Sequence, residues 1–152
     1  MRKLAAVATE GRVYGIDHSE ASIAMARKAN KQWIEMGRVD IRQGSVSQLP
    51  FSDEMFDLIT AVETHYFWPD LLADMREMLR VLKPGGSFII IAEAYKGGKY
   101  NNRIQKLTEL TNMAIPSPRE LSELFSRTSF SDVQIFEKYE KGWLCAIGKR
   151  PL

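Results

Sequence analysis

Short apolar runs alternate along this chain with longer stretches in which apolar residues recur at helical spacing. Apolar runs of four to eight residues are typical of buried strands, and recurrence every three or four positions is typical of amphipathic helices. The predicted strands are residues 12–17, 39–42, 56–62, 87–92, 133–139 and 143–148. The predicted helices are residues 2–9, 19–36, 69–82, 102–112 and 117–125.

Several predicted boundaries carry specific cap or turn signals. Ser19 is placed to cap the second helix, and Ser-Pro-Arg-Glu at 117–120 is a capping box with proline at the first helical position. Pro-Gly-Gly at 84–86 predicts a turn, and a glycine pair predicts a mobile loop at 93–101. The run 56–62 is apolar almost throughout, which predicts a central parallel strand covered on both faces.

The last two predicted strands form a hairpin. Residues 133–139 alternate between apolar and polar, 140–142 form a turn, and 143–148 return as an antiparallel strand. The rest of the chain alternates strand and helix, which is the pattern of parallel sheets. We therefore predict an α/β fold, a Rossmann-like doubly wound sheet that is mostly parallel with a C-terminal antiparallel hairpin. No linker or repeat is visible, so we predict one domain over residues 1–152.

Composition and charge narrow the functional classes. The chain has 152 residues and a formal charge of +2, with charges dispersed, which does not indicate a nucleic-acid or membrane partner. Its longest apolar run, 88–92, is far too short to span a membrane, so we expect a cytoplasmic protein. The single cysteine, Cys145, excludes an internal disulfide and is expected to be buried. No residues have metal-ligand spacing, so no metal is expected.

Small or acidic residues follow each of the first three predicted strands. Asp17 ends the first strand, Ser45 follows the second and Glu63 follows the third. Ligands of open α/β sheets bind outside the carboxyl ends of the strands. These positions are therefore the candidate binding residues of the chain.

Two longer motifs indicate a family. Leu-Pro-Phe at 49–51 is followed by Phe-Asp-Leu-Ile at 56–59, and Arg-Val-Leu-Lys-Pro-Gly-Gly occupies 80–86. With the strand order and the closing hairpin, the chain resembles the small-molecule branch of the class I S-adenosylmethionine-dependent methyltransferases over nearly its whole length. The resemblance implies structural roles for the second motif and for Asp57.

The resemblance implies S-adenosylmethionine as the cofactor. Asp17 matches the acidic residue that accepts hydrogen bonds from the ribose hydroxyls, and His18 adjoins it. Ser45 stands where the family most often has Asp facing the adenine amino group, so that contact would be weaker here. Val46 would offer its backbone amide to the ring, and Glu63 could bind the edge of the cofactor.

The segment after the third strand would face the substrate in such a fold. His65 could act as a general base. Tyr66, Phe67 and Trp68 could line an apolar substrate pocket or form a box around the sulfonium cation. Glu93 and Tyr95, at the end of the next strand, are further substrate candidates. Each of these residues could instead have a structural role. Carboxylates can cap turns, and histidine and aromatic side chains can pack against their neighbours. Asp17 shares the capping alternative.

The expected substrate is a small molecule. Amino-methyltransferases of nucleic acids with this fold carry an (Asn/Asp)-Pro-Pro-aromatic segment after the third predicted strand, and this chain has Glu-Thr-His-Tyr at 63–66 instead. That difference argues against a base-flipping enzyme. Methyl transfer from a sulfonium asks mainly for alignment and exclusion of water, so no catalytic triad is expected.

The resemblance also implies a first, central strand and a glycine-rich loop ahead of the opening helix, and Met1 falls inside that helix. We therefore expect an N-terminally truncated domain that lacks this strand. The strands ending at Asp17 and Glu63 could then pair directly, or a second copy could supply a strand in a homodimer.

Two alternatives to an active methyltransferase remain at this stage. One is a non-catalytic methyltransferase-like protein that acts by binding or association, since half of the implied cofactor site would be missing. The other is a nicotinamide-dependent reductase, suggested by the spacing of Tyr95 and Lys99. The intervening glycines disfavour the helix that such a pair requires, and no Gly-x-Gly-x-x-Gly is present.

Overall fold

The computed structural model describes residues 1–111 and 113–152, which form two compact units, Met1–Pro50 and Phe51–Leu152. The first unit contains, in chain order, α1 (Arg2–Val7), β1 (Val13–Asp17), α2 (Glu20–Ala29), α3 (Lys31–Glu35) and β2 (Val39–Gln43). The second contains β3 (Phe56–Val62), a 3₁₀ turn (His65–Phe67), α4 (Leu71–Val81), β4 (Leu82–Ala92), α5 (Asn101–Leu110), α6 (Pro118–Arg127), β5 (Ser131–Lys138) and β6 (Trp143–Lys149).

The first unit is a two-stranded parallel sheet with helices packed on it. β1 pairs with β2 from Val13 opposite Val39 to Asp17 opposite Gln43. The buried apolar side chains of this unit are Ala5, Ile23, Val39 and Ile41. One side chain of each helix α1 and α2 thus packs with β2, as the apolar spacing predicts.

The predicted helix 19–36 is wrong in one respect, because it is divided in two. Ser19 caps α2 as expected, with its hydroxyl accepting a hydrogen bond from the Ser22 amide at 3.3 Å. The helix then breaks at Asn30, whose φ is −113°. The Asn30 side chain donates to the Ala26 carbonyl at 2.7 Å. An asparagine side chain competes in this way with the backbone for helical hydrogen bonds.

The second unit is built on a four-stranded sheet in the order β3-β4-β6-β5. β3 pairs with β4 in parallel, and β6 pairs with both β4 and β5 in antiparallel orientation, so the predicted hairpin is confirmed. The α/β class with parallel strands and an antiparallel hairpin is confirmed with it.

An aromatic cluster fills the core of the second unit. Phe88 of β4 is fully buried, and its ring centroid lies 5.6 Å from that of Phe125 and 5.7 Å from that of Phe130. Gly148 of β6 makes room for this packing, since a Cβ atom there would lie within 2.7 Å of Phe125 Cε1. The close approach of α6 to the sheet therefore depends on a glycine at that position.

β3 is not the covered central strand that its apolar sequence predicts. It forms the edge of the four-stranded sheet, and Leu58 and Val62 are 45% and 49% exposed. Ala61, on the opposite face, is 4% exposed. The face with Ala61 is covered, while the face with Leu58 and Val62 remains half open, so only one of the two expected covered faces is present.

Element boundaries in the second unit follow the predicted signals closely. The capping box is present, since the Ser117 hydroxyl accepts from the Glu120 amide at 3.2 Å and the Glu120 carboxylate accepts from the Ser117 amide at 2.8 Å. α4 begins after Asp70 rather than at Pro69, because the Asp70 side chain caps it. The predicted end of α5, at residue 112, lies outside the described residues.

The motif at 80–86 has the structural role that the resemblance implies. Arg80 forms an ion pair with Asp53 at 2.6 Å and donates to the Phe51 carbonyl at 3.0 Å, which ties α4 to the loop before β3. Lys83 pairs with Asp57 at 2.8 Å. The predicted turn at 84–86 is included in β4 as an irregular segment with Gly85 at a φ of +75°.

Candidate functional site

Four of the predicted cofactor residues come together at one edge of the first unit. Because β1 and β2 are parallel, their carboxyl ends meet at the same edge. The Gly44 amide donates to the Asp17 carbonyl at 3.0 Å, and the Gln43 side chain donates to the His18 carbonyl at 3.1 Å. This edge, called the nucleoside edge below, comprises Asp17, His18, Ser45 and Val46.

The Asp17 carboxylate is partly engaged and partly open. Its Oδ1 atom accepts a hydrogen bond from the Ser19 amide at 2.8 Å, which caps the turn into α2. The His18 Nδ1 atom lies 3.7 Å from the same oxygen, and the Asp17 side chain is 43% exposed. The capping role is therefore present, and the carboxylate still has room for hydroxyl donors from solvent or a ligand.

Ser45 and Val46 open a tight turn after β2. The Ser45 hydroxyl accepts from the Ser47 amide at 3.2 Å, and its carbonyl accepts from the Gln48 amide at 3.3 Å. Ser45 is exposed and Val46 is half-buried. The serine hydroxyl thus remains at the surface, where a ligand can reach it.

In the second unit, Glu63 connects the ends of β3 and β4. Its amide donates to the Ile91 carbonyl at 3.0 Å, and its carboxylate accepts from the Glu93 amide at 2.5 Å. Its φ is +57°, in the left-handed region that non-glycine residues rarely adopt. Strained backbone of this kind is commonest at functional sites and persists only where surrounding contacts hold it.

Tyr66 completes this network. Its hydroxyl lies 3.4 and 3.5 Å from the two Glu63 carboxylate oxygens and 3.2 Å from the Ala94 carbonyl. Burial raises the pKa of Tyr66 above its ordinary value, and the negative charge of Glu63 raises it further. The hydroxyl is therefore a permanent hydrogen-bond donor at neutral pH.

The His65 side chain is buried and is not exposed to a ligand. Its side chain is 1% exposed, and burial lowers its pKa from 6.5 to about 4, so the imidazole is neutral at pH 7. Within the described part of the chain its Nδ1 atom is buried without a hydrogen-bond partner. This environment favours the packing alternative over a general base in contact with substrate.

Two of the predicted substrate residues are also packed inside the second unit. Trp68 is 8% exposed and stacks on Phe88, with ring centroids 6.1 Å apart and planes 13° apart. Tyr95 is 2% exposed and its ring covers Gly98. Burial raises the pKa of Tyr95, and the nearby Glu137 carboxylate adds to the shift. Glu93, by contrast, is exposed.

The aromatic residue of this segment that faces solvent is Phe67. It is 65% exposed, while Tyr66 on one side is 4% exposed and Trp68 on the other is 8% exposed. The sequence could not distinguish it from Tyr66 and Trp68, because three consecutive aromatic residues give no indication of which ring turns outward. Only the 3₁₀ turn decides that.

Comparison with known proteins identifies the family. Residues 1–90 match the family model described as a methyltransferase domain. The chain belongs to this family. The matched residues include the whole nucleoside edge, the Leu-Pro-Phe segment and the motif at 80–86.

Curated relatives carry a more specific name. The chain is 36% identical over 86 residues to the demethylmenaquinone methyltransferase of Bacillus mycoides, covering 57% of this chain and 36% of the relative. It is 28% identical over 153 aligned positions to the enzyme of that name from Staphylococcus saprophyticus, covering 86% of this chain and 64% of the relative. The chain thus spans between about one third and two thirds of the length of these relatives.

Solved structures confirm the fold. A S-adenosylmethionine-dependent methyltransferase from Aquifex aeolicus superposes with a TM-score of 0.76 at 18% identity, covering 98% of this chain and 74% of that one. The [4+2]-cyclase SpnF gives a TM-score of 0.77 at 17% identity, covering 99% and 71%. The two names denote different reactions, so the fold alone does not decide the chemistry.

No helix in the described residues has the length and apolar character needed to cross a lipid bilayer.

Proposed function

We propose that this chain acts as a S-adenosylmethionine-dependent methyltransferase on a small molecule. The observation that carries the proposal is the nucleoside edge, which lies inside the part of the chain that matches the methyltransferase domain family. Parallel pairing of β1 with β2 brings a half-open carboxylate and an exposed hydroxyl to one edge. These are the residues to which the resemblance assigns cofactor binding.

The residues at this edge fit the chemistry of an adenosine group. The half-exposed Asp17 carboxylate would accept hydrogen bonds from the two ribose hydroxyls, because its two oxygens can accept from both at once. The Ser45 hydroxyl would accept from the adenine amino group, and the Val46 amide would donate to the ring. His18, exposed beside Asp17, would cover the outer side of the ribose.

The second unit would serve the methyl acceptor. Glu93 is exposed at the end of β4, and Glu63 holds the ends of β3 and β4 together through its bond to the Glu93 amide. We therefore propose that Glu63 positions the ends of β3 and β4. A second proposed role for Glu63 is contact with the cofactor. Four buried side chains would lie beneath these strand ends and support them by packing. They are the substrate candidates Tyr66, Trp68 and Tyr95 and the base candidate His65.

The chemistry makes few demands on side chains. S-adenosylmethionine, when bound, supplies a methyl group already activated by the sulfonium charge. The chain has to hold the acceptor in line with that methyl group and keep water away. The names of the curated relatives point to a quinone-type ring as the acceptor class.

The proposal is tested by calorimetric titration of the 152-residue chain with S-adenosylhomocysteine, for the wild type and for Asp17→Asn. Asparagine keeps an oxygen for the Ser19 amide but loses the charge that binds the ribose hydroxyls. Loss of a charge-assisted hydrogen bond costs about 1.5–3 kcal/mol, so we expect at least a tenfold weaker affinity.

Asp40→Asn is the matched control. Asp40 lies on β2 in the same unit and pairs with Arg42 at 2.8 Å, away from the nucleoside edge. We expect its affinity to equal that of the wild type. Equal affinities for wild type and Asp17→Asn would remove Asp17 from the site, and no binding by a folded wild-type chain would overturn the proposed function for this chain.

A further inference from the structure

Phe67 presents an aromatic ring to solvent at the edge where β3 and β4 end. At 65% exposure it is far more open than the aromatic side chains on either side of it. An exposed phenylalanine on a loop at the carboxyl ends of parallel strands is a feature that packing of the second unit does not explain, since that packing uses Tyr66 and Trp68 instead.

The turn that carries Phe67 is held at several points. The Phe67 amide donates to the Thr64 carbonyl at 3.1 Å, and the Trp68 amide donates to the His65 carbonyl at 3.3 Å. The Tyr66 hydroxyl is fixed to Ala94, and the Tyr66 carbonyl accepts from the Ala114 amide at 3.2 Å. The position of the Phe67 backbone is therefore set before any ligand arrives.

The orientation of the ring is constrained as well. The Phe67 ring stands edge-to-face against Tyr66, with centroids 6.2 Å apart and an interplanar angle of 85°. Such a contact uses the edge of one ring and the face of the other. Together with the fixed turn, it limits the orientations that the exposed ring can adopt.

We propose that Phe67 is a specificity-determining residue that contacts a planar aromatic ring of the methyl acceptor. The inference rests on the proposed function. It adds the contacting residue, Phe67, and the substrate class, a compound with a planar aromatic ring. A planar apolar ring would remove the Phe67 side chain from water and stack on it, and little conformational freedom would be lost because the turn is already ordered.

The test uses 1,4-naphthoquinone as a planar two-ring probe, titrated into the 152-residue chain and followed by NMR chemical-shift changes. The variants are Phe67→Ala, which removes the ring, and Phe67→Leu, which keeps apolar bulk without the aromatic face. The matched control is Phe136→Ala on β5, since Phe136 is 52% exposed in the same unit. Neither position is in the core, so all three variants should fold.

We expect Phe67→Ala to weaken probe binding about three- to tenfold, Phe67→Leu to weaken it by a smaller factor, and Phe136→Ala to leave it unchanged. Unchanged binding by Phe67→Ala, an equal loss in Phe136→Ala, or no binding of the probe by the wild type would each overturn the proposal.

Titration of the same variants with S-adenosylhomocysteine separates this inference from the proposed function. We expect all three to bind the cofactor product as the wild type does. A wild-type chain that binds S-adenosylhomocysteine but not the quinone would leave the methyltransferase proposal standing and refute the aromatic acceptor.

Discussion

The two histidines of the chain lie in opposite environments. His18 has a side chain that is 88% exposed beside Asp17, and His65 is 1% exposed in the turn after β3. The sequence places both at strand ends and so makes both candidates for chemistry. Burial distinguishes them, because a protonated, enclosed imidazole would carry a charge that solvent could not stabilise.

Acid should therefore destabilise the folded chain through His65. The unfolded chain binds a proton at this residue below about pH 6.5, and the folded chain does so only below about pH 4. Stability from this group is thus present at neutral pH and lost as the pH falls from 6.5 to 4, by up to roughly 3 kcal/mol. Urea unfolding of the wild type and of His65→Gln across this range would measure the difference in slope.

His18→Gln is the control for that experiment. Carboxylates that titrate in the same range contribute equally to all three proteins, so only the difference between variants is informative. His18→Gln measures what the loss of an exposed histidine does to the slope, so the difference between the two variants isolates the buried one. If His65→Gln kept the slope of the wild type, the free energy of protonation would not differ between the folded and unfolded states, and the enclosed position of His65 would be contradicted.

Glu63 shows how a structure bears on two interpretations of one sequence position. The sequence leaves open whether its carboxylate binds a ligand or caps the following turn. In the structure the carboxylate binds the Glu93 amide and faces the Tyr66 hydroxyl, while the backbone is held at a φ of +57°. The carboxylate thus joins two strand ends, which differs from the cap on the following turn that the sequence suggests.

Among the elements, α6 has the best-specified start. The backbone amide of Ser117 first, and then Lys96, lower the pKa of Glu120 to about 2. The Glu120 carboxylate is consequently charged at pH values well above 2, and its contribution to stability is lost only as the pH falls from about 4.5 towards 2.

Removing the cap should destabilise the chain measurably. Ser117→Ala loses the oxygen that accepts from the Glu120 amide, and we expect the free energy of unfolding to fall by about 1 kcal/mol. Ser117→Asp restores an acceptor at the same position and should recover most of the loss. Urea denaturation at pH 7 measures both, and equal stability of Ser117→Ala and wild type would show that the cap adds nothing.

β3 shows the limit of reasoning from a single element. Its apolar sequence is that of a strand with neighbours on both sides, yet it forms a sheet edge with Leu58 and Val62 half exposed. Strand type follows from local composition, but burial follows from which other elements lie alongside. The apolar run at 56–62 could not supply that information.

At the scale of the whole molecule, the second unit has a core made from its own residues. The rings of Trp68, Phe88, Phe125 and Phe130 contact one another, and Met75 of α4 is fully buried. A region with its own hydrophobic core can fold as a unit.

We therefore expect residues 51–152, expressed alone, to fold cooperatively. Circular dichroism during urea denaturation should show a single transition, and amide NMR signals should be dispersed. Phe88→Ala in this fragment should cost about 3–5 kcal/mol, because it removes the ring at the centre of the cluster. A fragment without a cooperative transition would show that its core depends on the first unit.

The sequence by itself determined the α/β class, the order of the elements, the closing hairpin, the cap of α6 and the residues at the nucleoside edge. These follow from local rules: apolar spacing, capping residues, turn formers and the position of a strand end. A family match over residues 1–90 agrees with that interpretation.

Only the tertiary structure decided which of the candidate side chains are open and which are packed. Burial of His65, Tyr66, Trp68 and Tyr95, and exposure of Phe67, depend on contacts between segments distant in sequence, such as the Tyr66 hydroxyl with Ala94 and Trp68 with Phe88. No local pattern encodes such contacts, because the free energy that fixes them belongs to the packed assembly of strands and helices.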